Sequence, residues 1–176
     1  MKYLITSIIL TMALNTTIIF DFNANEDISD WRITDDVVMG GESSGNFYVD
    51  TNGKGVFEGV VSIENNGGFS SVRYRGEKIS LLNQSVVKIR LKGDGKMYQF
   101  RIKEKSSHYY SFIYNFKTSG NWETIEIPLK EMYPSFRGRR MNFENLSANS
   151  IEEIGFLIGN KKNESFKLIL DKIELN

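Results

Sequence analysis

The chain returns again and again to a two-residue alternation of apolar and polar side chains. Val87, Ile89 and Leu91 alternate with Lys88, Arg90 and Lys92, and Tyr98, Phe100 and Ile102 alternate with Gln99, Arg101 and Lys103. Successive side chains of an extended backbone leave on opposite faces, so each run builds a strand with one buried face. Gly93-Asp94-Gly95-Lys96 lies between the two runs and carries an Asp-Gly turn signal, so the pair predicts a hairpin. The segments 56–63 and 69–74, on either side of Glu64-Asn65-Asn66-Gly67-Gly68, predict a second hairpin. Tyr110, Phe112, Tyr114 and Phe116 alternate with Ser111, Ile113, Asn115 and Lys117, and the turn Ser119-Gly120-Asn121 leads on to Ile125, Ile127 and Leu129. Segment 18–22 reads as a first strand, and 154–158 and 166–175 as the last two. No stretch sustains a 3.6-residue apolar period, so helices should be few and short, with one turn at 147–153. Eight or more strands at spacings of about 8–15 residues predict an all-β, antiparallel two-sheet sandwich.

A chain of 176 residues suits one domain, 18–176, preceded by residues 1–17 as a signal peptide or N-terminal extension. Lys2 followed by a mostly apolar stretch to Leu14 has the proportions of a secretory signal. Thr6, Ser7 and Thr11 interrupt that stretch, which is too short and flawed for a stable membrane span. The protein is therefore expected to be exported, periplasmic or extracellular, if the signal is real, and cytoplasmic otherwise. The chain has no cysteine, which excludes disulfides, thiol nucleophiles, Cys-zinc sites and iron–sulfur clusters. The 22 basic and 22 acidic residues cancel, which argues against a nucleic-acid binder that works by neutralising phosphates. The local basic cluster, Arg137-Gly138-Arg139-Arg140, reads as a solvated loop or an anion site.

Few residues point to chemistry. Asp35 and Asp36 are adjacent, so in extended backbone their carboxylates face opposite ways and cannot flank one substrate as an acid/base pair. One of them is expected to anchor a loop by accepting hydrogen bonds, with Arg73 as a candidate donor because its planar fork suits a carboxylate. Glu64 joins them in an expected polar cluster, Asp36–Glu64–Arg73, tying the 37–43 loop to the 65–68 turn. Gly40-Gly41 and Gly67-Gly68 read as positions of positive φ or close backbone approach, and no helix pattern follows either to make a phosphate cradle. His108 is the single histidine. A triad with Ser70 or Ser71 is formally open, but no nucleophile-elbow pattern supports it. A lone His without Cys is a poor zinc centre, whereas a calcium site built from carboxylates and carbonyls stays open. Trp31 and Trp122 are core anchors or platforms for a sugar ring.

Three segments resemble the complex I intermediate-associated protein family. The first is 31–43, opening Trp31-Arg32-Ile33-Thr34-Asp35-Asp36. The second is Phe57-Glu58-Gly59 continuing through 62–73, and the third is Gly93-Asp94-Gly95 with Tyr98. Trp122, Pro128, Phe136-Arg137-Gly138 and Ile154-Gly155-Phe156 add to the likeness, which runs in order through nearly the whole chain beyond its N-terminus. The resemblance implies a galactose-binding-domain-like jelly roll. It also implies a non-catalytic assembly-factor or chaperone-like role with protein partners and no catalytic residue; no cofactor and no metal ligand is assigned from the residues themselves. Fold by itself does not transfer function. The alternative is a carbohydrate-binding module using the loop end of the sandwich. Asp36, Glu64, Arg73, Trp31 and Arg137 are the candidate binding residues, and an enzyme using Asp36, Glu64 and Arg73 is the minor third reading.

Overall fold

The computed structural model describes residues 16–176. The expected signal at 1–17 thus lies almost wholly outside the described residues. In chain order the strands are β1 Thr17–Asp21, β2 Trp31–Asp35, β3 Ser44–Val49, β4 Gly55–Val61, β5 Ser70–Tyr74, β6 Ile79–Ser80, β7 Val86–Lys92 and β8 Met97–Lys103. They continue with β9 Ser111–Lys117, β10 Trp122–Pro128, β11 Tyr133–Phe136, β12 Arg139–Arg140, β13 Ser150–Ile151, β14 Glu153–Ile158 and β15 Glu164–Leu175. Among the described residues helix is confined to 3-10 turns at Asp36–Met39, Glu64–Asn66 and Leu129–Glu131. The helical turn expected at 147–153 is instead the short strand β13 running into β14.

All strand pairing among the described residues is antiparallel. One sheet of six strands runs β10-β7-β15-β4-β3, with β1 also on β15, and a sheet of seven runs β12-β11-β9-β8-β14-β5-β2. The two pack face to face as a jelly-roll sandwich. Phe57, Ile89, Leu91, Leu168 and Leu170 of the first sheet meet Val72, Phe100, Ile102, Ile154 and Phe156 of the second in one fully buried core. Those on β7, β8 and β15 are on the apolar parity of their alternating runs.

Both predicted hairpins are wrong in their partners. β4 pairs with β3 and β15, whereas β5 pairs with β2 and β14 in the other sheet. Likewise β7 pairs with β10 and β15, and β8 with β9 and β14. The segments 62–69 and 93–96 are therefore arches that carry the chain across the core. An Asp-Gly or Gly-Gly turn reverses direction in either case, and only packing decides whether the next strand bonds beside its predecessor or faces it. True hairpins join β3 to β4 and β8 to β9.

The arch at 93–96 is held by Asp94, which accepts hydrogen bonds from the Tyr98 hydroxyl and the Lys167 amide, both at 3.0 Å. Burial, with the Asp94 charge and hydrogen bond adding to it, pushes the Tyr98 phenol well above its usual range. These contacts tie Gly93-Asp94-Gly95 and Tyr98 to β15 as one unit.

Candidate functional site

The arch between β4 and β5 closes on Asp36, at the start of the 3-10 turn that follows β2. Asp36 is 1% exposed. Its Oδ1 accepts the Ser43 amide at 3.1 Å, and its Oδ2 accepts the Ser43 hydroxyl at 2.5 Å, the Gly68 amide at 2.6 Å and the Phe69 amide at 3.0 Å. The Ser43 hydroxyl in turn accepts the Ser62 amide at 3.0 Å. Asp35 performs the companion task, accepting the Ser70 hydroxyl at 2.5 Å and the Gly45 amide at 2.9 Å. The glycines make this possible. Gly40 and Gly68 have φ of 86° and 132°, which side chains rarely adopt. A Cβ on Gly41 would run into the Asp36 carboxylate, and one on Gly67 would sit 2.8 Å from Asp36 Oδ2.

Burial by itself pushes the Asp36 carboxyl up, but the bonds from Ser43, Phe69 and Gly68 outweigh it and hold the group below its ordinary value of 3.8. A carboxyl lowered in the folded state adds stability that is complete above the unfolded value and lost as pH falls through the folded one. Urea midpoints measured from about pH 5 to about pH 2 are therefore expected to fall more steeply for the native chain than for Asp36→Asn. Parallel curves would show that the lock carries no charge dependence.

Of the expected Asp36–Glu64–Arg73 cluster, the structure keeps the loop tie and changes its donors. Glu64 is exposed on the arch. Arg73 is on β5 and reaches Glu153 at 4.0 Å, not Asp36, whose needs are met by neutral donors. Trp31 is not a surface platform. It is 4% exposed and packs against Phe20, Phe22, Phe47 and Tyr74 with ring centroids 4.9–5.5 Å away. Arg137 is exposed at the tip of the β11–β12 turn, where it and Gly138 have φ of 48° and 74°, and its guanidinium lies 5.3 Å from the Phe136 ring centre. The basic tetrad is a solvated turn.

No triad is assembled. The Ser70 hydroxyl donates to Asp35 and that of Ser71 to the Thr34 carbonyl, while His108 stacks on Tyr110. Among the described residues no group of three or more His, Asp or Glu side chains is placed to hold a metal ion. None of the helices there is long and apolar enough to cross a membrane.

Two surfaces stand out instead. Around the Asp36 lock, Val37 and Ile63 are 61% and 46% exposed, and Val60 on β4 is 52% exposed. On the outer side of the six-stranded sheet, a cleft of about 440 Å³ is lined by Asp50, Asn52, Lys54, Arg90, Lys92, Trp122, Ile169 and Asp171. Trp122 is 39% exposed there, with the Arg90 guanidinium 5.7 Å from its ring centre.

The outer side of the seven-stranded sheet holds a set of charges that sequence reasoning missed. Glu153 is 5% exposed and takes the Arg75 guanidinium at 2.5 Å. Arg101 is next to it; burial, with the nearby Arg73 charge adding to it, lowers its guanidinium to about 10. The alternation of β8 did place Arg101 outward, but nothing in sequence brought β5, β14 and β8 together. Because the Arg73–Glu153 contact is long and Arg101 opposes it, Arg73→Ala is expected to change unfolding free energy by less than about 1 kcal/mol. A loss of several kcal/mol on urea denaturation would restore a structural role for Arg73.

A family model described as Complex I intermediate-associated protein 30 matches residues 20–170. The Drosophila melanogaster protein named Complex I intermediate-associated protein 30, mitochondrial, is 23% identical over 172 residues, covering 84% of this chain. The chain spans 57% of that relative's length. Among solved structures, the family 11 carbohydrate-binding module of Clostridium thermocellum, in complex with a mixed-linked tetrasaccharide, superposes with a TM-score of 0.71 at 20% identity, over 93% of this chain and 96% of the module. A family 29 carbohydrate-binding module gives 0.52 at 11% identity, over 92% and 91%. These likenesses show a shared sandwich fold.

Proposed function

Because the chain belongs to the complex I intermediate-associated protein 30 family, we propose that it is a non-catalytic binding module that docks on protein partners during assembly of a respiratory NADH:ubiquinone oxidoreductase. One observation carries this reading. The two longest family-like segments are spent on building a locked pair of loops, with Asp36 saturated by Ser43, Gly68 and Phe69, and they leave apolar side chains such as Val37 and Ile63 in solvent. A carboxylate with all its acceptor capacity committed to fixed donors is suited to scaffolding and not to proton transfer. Exposed apolar groups on a rigid platform suit a protein contact.

The test is capture from the native cell with the tagged chain and with a Val37→Lys/Ile63→Lys variant of unchanged urea midpoint. Subunits of the oxidoreductase are expected with the native chain and depleted with the variant. Their absence from the native capture would overturn the reading. Compartment follows from the same experiment: an assembly role requires the protein beside the membrane that houses the complex, whereas recovery from the medium favours the exported alternative.

A second reading is supported by the Trp122 cleft, where an indole borders Asp50, Asn52 and Asp171. That combination of an aromatic face and polar groups suits a sugar ring, and the named structural neighbours are carbohydrate-binding modules. Binding of a soluble β-glucan that disappears in Trp122→Ala would select it.

A further inference from the structure

Three arginines fall into one transverse line across the seven-stranded sheet. Arg32 of β2 is in register with Arg73 of β5, Arg73 with Gly155 of β14, and Gly155 with Arg101 of β8. All take the parity opposite to the core residues Val72, Phe156 and Phe100, so they share the outer face. Like charges in cross-strand register destabilise a sheet. Here Arg75 and Lys103 add to them, and among the described residues Glu153 is the one carboxylate within 4.0 Å of any of these cations. Lys103 is committed to the carbonyls of Ser106 and His108, and Arg32 to those of Ser29 and Trp31. Arg101 is steadied by Gln99 at 2.9 Å. Arg73 and Arg101 therefore face each other with unspent donors.

Gly155 lies between them. A Cβ there would come within 2.6 Å of the Val72 carbonyl and 3.4 Å of Arg73 Cγ, so the position must stay bare, and the stem of Arg73 lies against it. Strands spaced at about 4.8 Å put the β5 and β8 backbones about 10 Å apart, a span that admits carboxylates between two forks. The outward neighbours of Gly155 and the two arginines are Ser71, Leu157, Gln99 and Ile113, of which Ser71 and Ile113 are buried, and Tyr133 of β11 follows Ile113 in the same register line.

We propose that this row is the docking site for an acidic segment of a partner polypeptide, whose carboxylates seat over Gly155 between Arg73 and Arg101. It rests on the protein-binding reading above and gives that reading a recognition chemistry. A guanidinium fork pairs with a carboxylate through two parallel hydrogen bonds, and a half-buried Arg101 gains more from such a partner than a solvated one does. A ligand carboxylate also offsets the repulsion between the Arg73 and Arg101 charges.

The probe is a labelled hexaglutamate peptide, followed by fluorescence anisotropy with the full chain at about 50 mM and about 200 mM salt. Polygalacturonate and inorganic phosphate are the competing anions, and hexaglutamine is the uncharged control. Saturable peptide binding is expected, weakened about tenfold or more by Arg73→Gln and by Arg101→Gln and unaffected by Lys172→Gln on the opposite sheet. Arg73→Gln should keep the native urea midpoint, which separates lost binding from lost fold. Binding indifferent to both arginines, no binding at low salt, or a preference for polygalacturonate or phosphate over the peptide would each overturn the proposal. If oxidoreductase subunits are still captured by the Arg73→Gln/Arg101→Gln chain, the arginine site fails and the protein-binding reading stands; if the native chain captures none, that reading fails irrespective of the peptide.

Discussion

Asp36→Ala is expected to lower the unfolding free energy by about 3–4 kcal/mol, the upper part of the range for single substitutions. The carboxylate serves the amides of Ser43, Gly68 and Phe69 and the Ser43 hydroxyl in a site almost closed to solvent. Its removal orphans all of these donors at once, and each buried donor left without a partner costs about 1–3 kcal/mol before water or rearrangement recovers part of it. Asp36→Asn keeps the shape but turns an amide donor toward other donors, so it should lie between alanine and the native chain. Urea denaturation reads the loss. Hydrogen exchange at the Gly68 and Phe69 amides reads its location, because those protons are protected by Asp36 itself. A loss under about 1 kcal/mol for Asp36→Ala would mean that the loops are held by something other than this lock.

Trp31→Ala is expected to cost about 3–5 kcal/mol, the range for deleting a large buried aromatic. Its indole is wedged among Phe20, Phe22, Phe47 and Tyr74, which come from both sheets and from the N-terminal strand and its continuation. Trp31→Phe should cost far less, since the indole Nε1–H is buried without an acceptor and its loss relieves a desolvated donor. Thermal denaturation of the pair separates the two effects. A Trp31→Ala chain of native stability that has lost ligand binding would return Trp31 to the surface role its sequence context allowed.

Much of this fold is legible before any coordinates. The period-two runs around Val87, Tyr98, Phe112, Ile154 and Phe166 name both the strands and the faces they bury, because parity is a local property of extended backbone. The absence of a helical period is equally local, and so are the glycine positions: Gly40 and Gly68 need positive φ, while Gly41 and Gly67 lie where backbone must approach a side chain. The family likeness, carried by long ordered segments, adds the jelly-roll topology that alternation cannot supply.

What local pattern could not decide is who sits beside whom. The turns at 64–68 and 93–96 look like hairpin loops and are arches, because a reversal of direction is written in a few residues whereas the choice of neighbour is settled by burying two whole sheet faces together. The same reason governs the site. Asp36 was rightly an anchor, but its donors were neutral amides and hydroxyls and not Arg73, since the nearest donors in space came from backbone already turned toward it. Arg73 belongs to another group entirely, assembled from β5, β14 and β8 by cross-strand register. Sequence by itself determined which side chains face the core and which face water; only tertiary structure decided that three of the outward ones would be arginines in line, because register between strands distant in sequence is a consequence of packing the whole core at once.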